Sequence, residues 1–160
     1  MTKLLRRSVD GVVAGAAGTI AMGGMSFFLR RMVEPNTHVG KTHYESVVER
    51  AVLLADPEHE MEPNLRVRLG ELLHIGFGAF WGLAFAHAFG RRHVRPIRDG
   101  GVFGLALWVG AFGGYMPALG ISRSLRQMKF YELGRTLLCH LTFSITTVTF
   151  LRSLRSRSRE

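Results

Sequence analysis

Residues 71–89 read Glu71-Leu72-Leu73-His74-Ile75-Gly76-Phe77-Gly78-Ala79-Phe80-Trp81-Gly82-Leu83-Ala84-Phe85-Ala86-His87-Ala88-Phe89. From Leu72 onward only the two histidines interrupt an apolar run. A helix crosses a hydrocarbon core of about 30 Å with about 20 such residues. A soluble helix of this length carries one apolar stripe and one charged face, whereas this stretch is apolar all round. Glu71, His74 and His87 stand out against that background. Ionisable side chains in a membrane helix are costly and face a bundle interior or a cavity, so this stretch sets the fold class and also says where to seek a site.

Three further blocks have the same character. Residues 11–29 and 100–121 carry no charge, and residues 131–151 carry only Glu132, Arg135 and His140 among ionisable types other than Cys139 and Tyr131. Spans are therefore expected at about 10–30, 70–89, 100–121 and 131–151, with a polar loop at 31–69 and a basic, disordered tail at 152–160. Membrane-spanning strands are shorter and alternate in polarity, which none of these blocks does. The expected fold is all-α: one integral membrane domain, a four-helix bundle with a short amphipathic surface helix in the first loop. That helix starts at Thr42-His43-Tyr44-Glu45, a capping box in which Thr42 caps and Glu45 reaches back. Tyr44, Val47, Val48, Ala51, Val52 and Ala55 then share one face, suited to lying on the membrane or over the mouth of the bundle.

The net charge of +9 does not point to nucleic acid, because the basic residues flank the spans. Anionic lipid headgroups are the expected partners, at Arg91, Arg92, Arg95, Arg98 and the C-terminal tail. Lys3, Arg6 and Arg7 precede an apolar run longer than that of a signal peptide, so the first span is expected to be retained. Four spans place both termini and the 90–98 connection on one side, with eleven Lys and Arg against nine on the other. Cytoplasmic termini follow from that bias.

Small residues recur one helical turn apart at Gly11/Gly15, Gly78/Gly82, Gly100/Gly104 and Gly110/Gly114. Such pairs let helix backbones approach closely in lipid, within the bundle, between two copies in a homo-oligomer, or against a membrane partner.

In this topology Glu71 and His74 lie in the outer part of span two, one turn apart, and Glu132, Arg135 and His140 in the outer half of span four. With a rise of about 1.5 Å per residue, Arg135 and His74 fall at similar depth. A Glu71–Arg135 pair is expected, leaving His74 and His140 facing one cavity. The favoured role of the cluster is to fix helix register through mutual pairing. A proton or solute path through His74 is an alternative, as is haem or metal ligation by His74 and His140. Glu71-Leu-Leu-His74 has the spacing of a di-metal carboxylate site, but the second such motif is missing. His87 and His93 are expected at the cytoplasmic interface and His38, His43 and His59 on a solvated face. Trp81 and Trp108 are read as packing residues, and Cys139 as a small buried one. No catalytic residues and no cofactor are assigned. The expected function is that of a non-enzymatic polytopic membrane protein, in permeation, envelope maintenance or scaffolding.

Ala14-Gly-Ala-Ala-Gly-Thr-Ile-Ala-Met22, His74-Ile-Gly-Phe-Gly-Ala-Phe-Trp-Gly82, and Gly104-Leu-Ala-Leu-Trp108 leading to Pro117-Ala-Leu-Gly120 occur in this order, followed by His140 and an apolar run. In these pieces the chain resembles the YagU-like family of small bacterial inner-membrane proteins. The resemblance touches all four spans and implies a four-helix protein of the bacterial plasma membrane. It implies no catalytic activity, substrate or cofactor.

The topology is tested by cysteine labelling of intact cells. Glu58→Cys is expected to react with an impermeant maleimide from outside, and Ser156→Cys only after lysis.

Overall fold

A computed structural model of the chain describes residues 2–33, 42–56, 58, 61–89 and 94–156. The described residues are helical, without strands. Helix α1 runs over Lys3–Val33, α2 over His43–Ala55, α3 over Pro63–Ala88 and α4 over Pro96–Gly110. A π-helical turn, Ala111–Tyr115, continues α4 into the short α5, Met116–Ala118, and α6 covers Phe130–Ser156. Four segments, Lys3–Met32, Pro63–Ala88, Pro96–Ala118 and Phe130–Ser156, are long and apolar enough to cross a membrane. Large apolar side chains point outward on all four: Ile20 is 74%, Leu72 66% and Ile97 81% exposed, and Phe130 91%. A folded soluble bundle buries such residues, whereas a lipid-facing surface leaves them outside. The protein is an all-α four-helix bundle of multi-pass membrane type.

The helices overrun the expected spans. Helix α3 begins at Pro63, because proline at a first helical position costs no hydrogen bond and the charged residues that follow stay helical outside the apolar window. The 31–69 segment is correspondingly less of a loop than its polarity implies. Helix α6 likewise continues through Ser156 into what was expected to be a disordered tail. Arg155 explains the extension. Its guanidinium donates to the carbonyls of Ala86 at 3.3 Å and Phe89 at 3.5 Å, at the C-terminal end of α3, where carbonyls lack intrahelical partners. Arg155 is thus a cap for a neighbouring helix.

Glycines set which helices touch. Helix α1 lies between α3 and α6, and α6 between α1 and α4. A Cβ on Gly82 would sit 2.6 Å from the Cα of Gly15, and one on Gly11 would sit 2.9 Å from the carbonyl oxygen of Gly82. Gly15 and Gly78 meet as closely across the same seam. Gly100 and Gly104 play this part between α4 and α6, against Ile145 and the His140 carbonyl, each 2.9 Å from the added carbon. Gly110 and Gly114, expected to pack in the same way, have nothing within 4 Å of a Cβ. Their stretch is occupied by the π-helical turn, whose wider winding breaks the one-turn register a glycine pair needs.

Helices α3 and α4 make no such seam. Aromatic side chains occupy the space between them: Trp81 and Phe77 from α3, Phe103 from α4 and Tyr115 from the π-turn, with ring centroids 6.3 Å apart for Trp81–Phe103 and 6.1 Å for Phe77–Tyr115. The end nearer the termini is sealed by Phe85, which lies 4.8 Å from Phe103 and packs with Ala14, Val148 and Leu151. Trp108 packs as expected and also donates from Nε1 to Thr136 Oγ1 at 2.9 Å, linking α4 to α6.

The amphipathic helix α2 sits over the other end. Thr42 and Glu45 form the expected capping box, and the Glu45 carboxylate also takes Arg66 of α3 at 3.6 Å. Gly70 of α3 allows this approach, since a Cβ there would meet Glu45 at 3.0 Å.

Gly82→Ala is expected to lower the melting temperature in detergent, since overpacking a tight seam costs about 1–3 kcal/mol. Gly24→Ala, where no atom lies within 4 Å, should be neutral or stabilising by up to about 1 kcal/mol from helix propensity. Equal melting temperatures for the two variants would contradict the seam.

Candidate functional site

The α3–α4 gap widens below α2 into a cavity of about 270 Å³. Its walls come from every long helix: Thr19 and Met22 of α1, His74, Phe77 and Trp81 of α3, Leu107 of α4, and His140 and Phe143 of α6. Tyr44 of α2 and Tyr115 of the π-turn complete the outer end. The surface is chiefly apolar, with two imidazoles, an indole N–H and the hydroxyls of Thr19, Tyr44 and Tyr115 as its polar points.

Those points are unevenly satisfied. The ring nitrogen Nδ1 of His140 lies 2.8 Å from the Thr136 carbonyl; a carbonyl only accepts, so Nδ1 carries the proton and Nε2 is the acceptor. Thr19 spends its hydroxyl proton on the Gly15 carbonyl at 3.0 Å. His74 Nε2 and Trp81 Nε1 are buried without a hydrogen-bond partner among the described residues. A buried polar atom left unpaired costs about 1–3 kcal/mol, and both of these atoms face the same cavity.

Helix α2 covers the outer end of the cavity. Tyr44 stacks on His74 with ring centroids 4.1 Å apart, and His43 meets Phe112 edge-on at 5.5 Å. Burial, and then the neighbouring Tyr115, push the Tyr44 hydroxyl up, so it stays a neutral phenol.

A second chamber of about 90 Å³ adjoins the first and shares Met22, Tyr44, Tyr115 and His140 with it. Its remaining lining adds Arg30 of α1, Arg135 of α6, His43, Ser26, Thr136 and Cys139 to the apolar Ala111, Phe112 and Met116, with no carboxylate. Burial lowers the pKa of His43, and the charges of Arg135 and Arg30 lower it further. The imidazole is therefore neutral at pH 7 and the two guanidiniums carry the charge.

The expected polar cluster is divided. His74, His140 and Arg135 come to the adjoining chambers. Glu71 lies exposed on α3, and among the described residues no ion pair joins it to Arg135. Three residues from His74 is close enough for a shared face, but Glu71 is exposed and lines neither chamber. Glu132 turns to its own helix end, accepting from the backbone N–H of Lys129 at 3.0 Å and from the Tyr131 hydroxyl at 3.3 Å.

His43, expected on a solvated face, is instead half-buried beneath α2. Trp81, read as packing, also presents its N–H to the cavity. His87 lies 3.0 Å from the Ser8 hydroxyl, tying the ends of α1 and α3 together. His38, His59 and His93, with Arg91 and Arg92, lie outside the described residues. Tyr44 and Tyr115 were missed as site residues. The signal for Tyr44 was its place as an aromatic beside a cap, on the apolar face of the one amphipathic helix. Tyr115 owes its position to the π-turn, which has no signature in the sequence beyond an interrupted glycine pattern.

Comparison with family models, curated proteins and solved structures gives no match. Among the described residues no group of three or more His, Cys, Asp and Glu is placed to hold a metal ion. What the arrangement offers chemically is binding: an aromatic cavity, orphaned polar atoms, and a cationic antechamber under a short amphipathic helix.

His43 gives the site a pH dependence. Its folded pKa is below 6.5, so on acidification the unfolded chain takes the proton first and stability falls. The melting temperature in detergent should decline as pH drops below about 6.5, and His43→Phe should remove part of that slope. An unchanged slope would mean that His43 is not held neutral in the folded protein.

Proposed function

We propose that this chain is a non-enzymatic binding protein of the bacterial inner membrane, of YagU-like type, with both termini cytoplasmic. Its cavity takes an apolar molecule from the outer leaflet, a role in envelope maintenance. The observation that carries this reading is the cavity of about 270 Å³ with buried, unpaired His74 Nε2 and Trp81 Nε1 on its wall. Access from the membrane is favoured by the absence of a glycine seam between α3 and α4, and α2 is placed to cover the opening. Lysine and arginine bias supports the orientation. Headgroup contact is assigned to Arg95 and the α6 end as well as to Arg91, Arg92 and Arg98; of these, Arg98 also holds Asp99 at 2.8 Å.

A second reading is favoured by one specific feature. His74 and His140 line the same cavity, and the anchored Nδ1–H of His140 is how an imidazole ligand is held by its second shell. A membrane redox subunit with haem on these two residues is the alternative. An absorption spectrum of protein purified after haem-supplemented expression decides it: a stoichiometric Soret band lost in His74→Ala and His140→Ala would replace the first reading.

Trp81 reports on the first reading directly. In a Trp108→Phe background it is the sole tryptophan. A brominated long-chain alcohol should quench it saturably, at one molecule per chain. Quenching that rises linearly with the alcohol, as for any detergent-exposed indole, would contradict a cavity site.

A further inference from the structure

Among the described residues the cationic antechamber has no counter-charge. Arg30 and Arg135 come from different helices to one small chamber, both acting on His43. Among the described residues neither makes an ion pair. Two guanidiniums held near each other in a partly buried space repel, and a buried charge without a partner is strongly unfavourable. Ser26, Thr136 and the two ring systems of α2 add only neutral groups. An anion is the missing partner, and the planar donors of Arg suit a carboxylate or phosphate in particular.

The antechamber also adjoins the aromatic cavity, sharing Met22, Tyr44, Tyr115 and His140 with it. Arg30 is three residues from the end of α1 and Arg135 five from the start of α6. With a rise of about 1.5 Å per residue, both guanidiniums start within about 8 Å of the helix ends. A charged mouth leading into an apolar interior is complementary to one molecular shape. We propose that Arg30 and Arg135 bind the anionic head of a single-chain amphiphile drawn from the membrane, whose chain enters the aromatic cavity past Tyr44 and Tyr115. This rests on the cavity-binding reading above and adds the chemical class of the ligand to it. Helix α2 closes over the head with His43 and Tyr44, neutral groups that add no repulsion to the anion's own partners.

The test uses the Trp108→Phe protein in non-ionic detergent at pH 8, with three brominated probes of equal chain length: a fatty acid, a monoalkyl phosphate and a fatty alcohol. The acid or the phosphate, or both, should quench Trp81 at concentrations at least tenfold below the alcohol, and which of them does so identifies the head. Inorganic phosphate, lacking a chain, should compete only at far higher concentration. In Arg30→Gln/Arg135→Gln the anion preference should vanish while alcohol quenching remains. If that double variant does not fold, Ser26→Glu, which adds a carboxylate to the same chamber, should likewise erase the preference. Equal quenching by all three probes in the unaltered site would overturn the headgroup assignment and leave cavity binding standing. Absence of saturable quenching by every probe would overturn both.

Discussion

Everything in this molecule follows from how closely α1 comes to α3. In lipid there is no hydrophobic drive for helices to associate, so packing contact must supply it. Gly11 and Gly15 against Gly78 and Gly82 provide that contact, with no room for a single methyl group. The same device at Gly100 and Gly104 holds α4 to α6. Since α6 also packs on α1, three seams determine the bundle. The fourth side, α3 against α4, is left without one and is spanned by side chains. A bundle tight on three sides and aromatic on the fourth leaves a cavity at the fourth.

That cavity is graded along its length. At the end near the termini, Phe85, Phe103 and Leu151 close it. In its middle, Trp81, His74 and His140 give an apolar wall a few polar points. At the α2 end, Arg30 and Arg135 bring charge with no acid among the described residues to balance it. The π-helical turn contributes to this grading by placing Phe112 and Tyr115 where a regular α4 would have carried Gly110 and Gly114 in register. Such turns recur at functional sites, and here the turn lines both chambers. Helix α2, docked through Glu45, Arg66 and the notch at Gly70, adds Tyr44 and His43 as the cover.

The all-α class, the four spans and the capping box at Thr42 were legible because each rests on local pattern: apolar length, charge at the flanks, a cap at fixed spacing. The histidines of the cavity were legible too, since an imidazole in an apolar span has few places to go. The charge pairing was not. Assigning Glu71 to Arg135 used depth alone, and depth says nothing of the angle at which a side chain leaves its helix. Nor does apolar length reveal where a helix ends, which is why α3 begins at Pro63 and α6 runs on to Ser156 under the influence of Arg155. The lid residues escaped for a related reason: a short amphipathic helix shows which face is apolar, but not that the face lies on a bundle mouth rather than on a lipid surface.

The central claim is that the space left by the missing α3–α4 seam holds a bound molecule. Native mass spectrometry of the chain, purified from membranes and released gently from detergent, tests it most directly. The account predicts a species carrying one small amphiphile per chain, reduced when His74 and Trp81 are both replaced by leucine. A bare chain mass, unchanged when excess single-chain amphiphile is supplied, would contradict it.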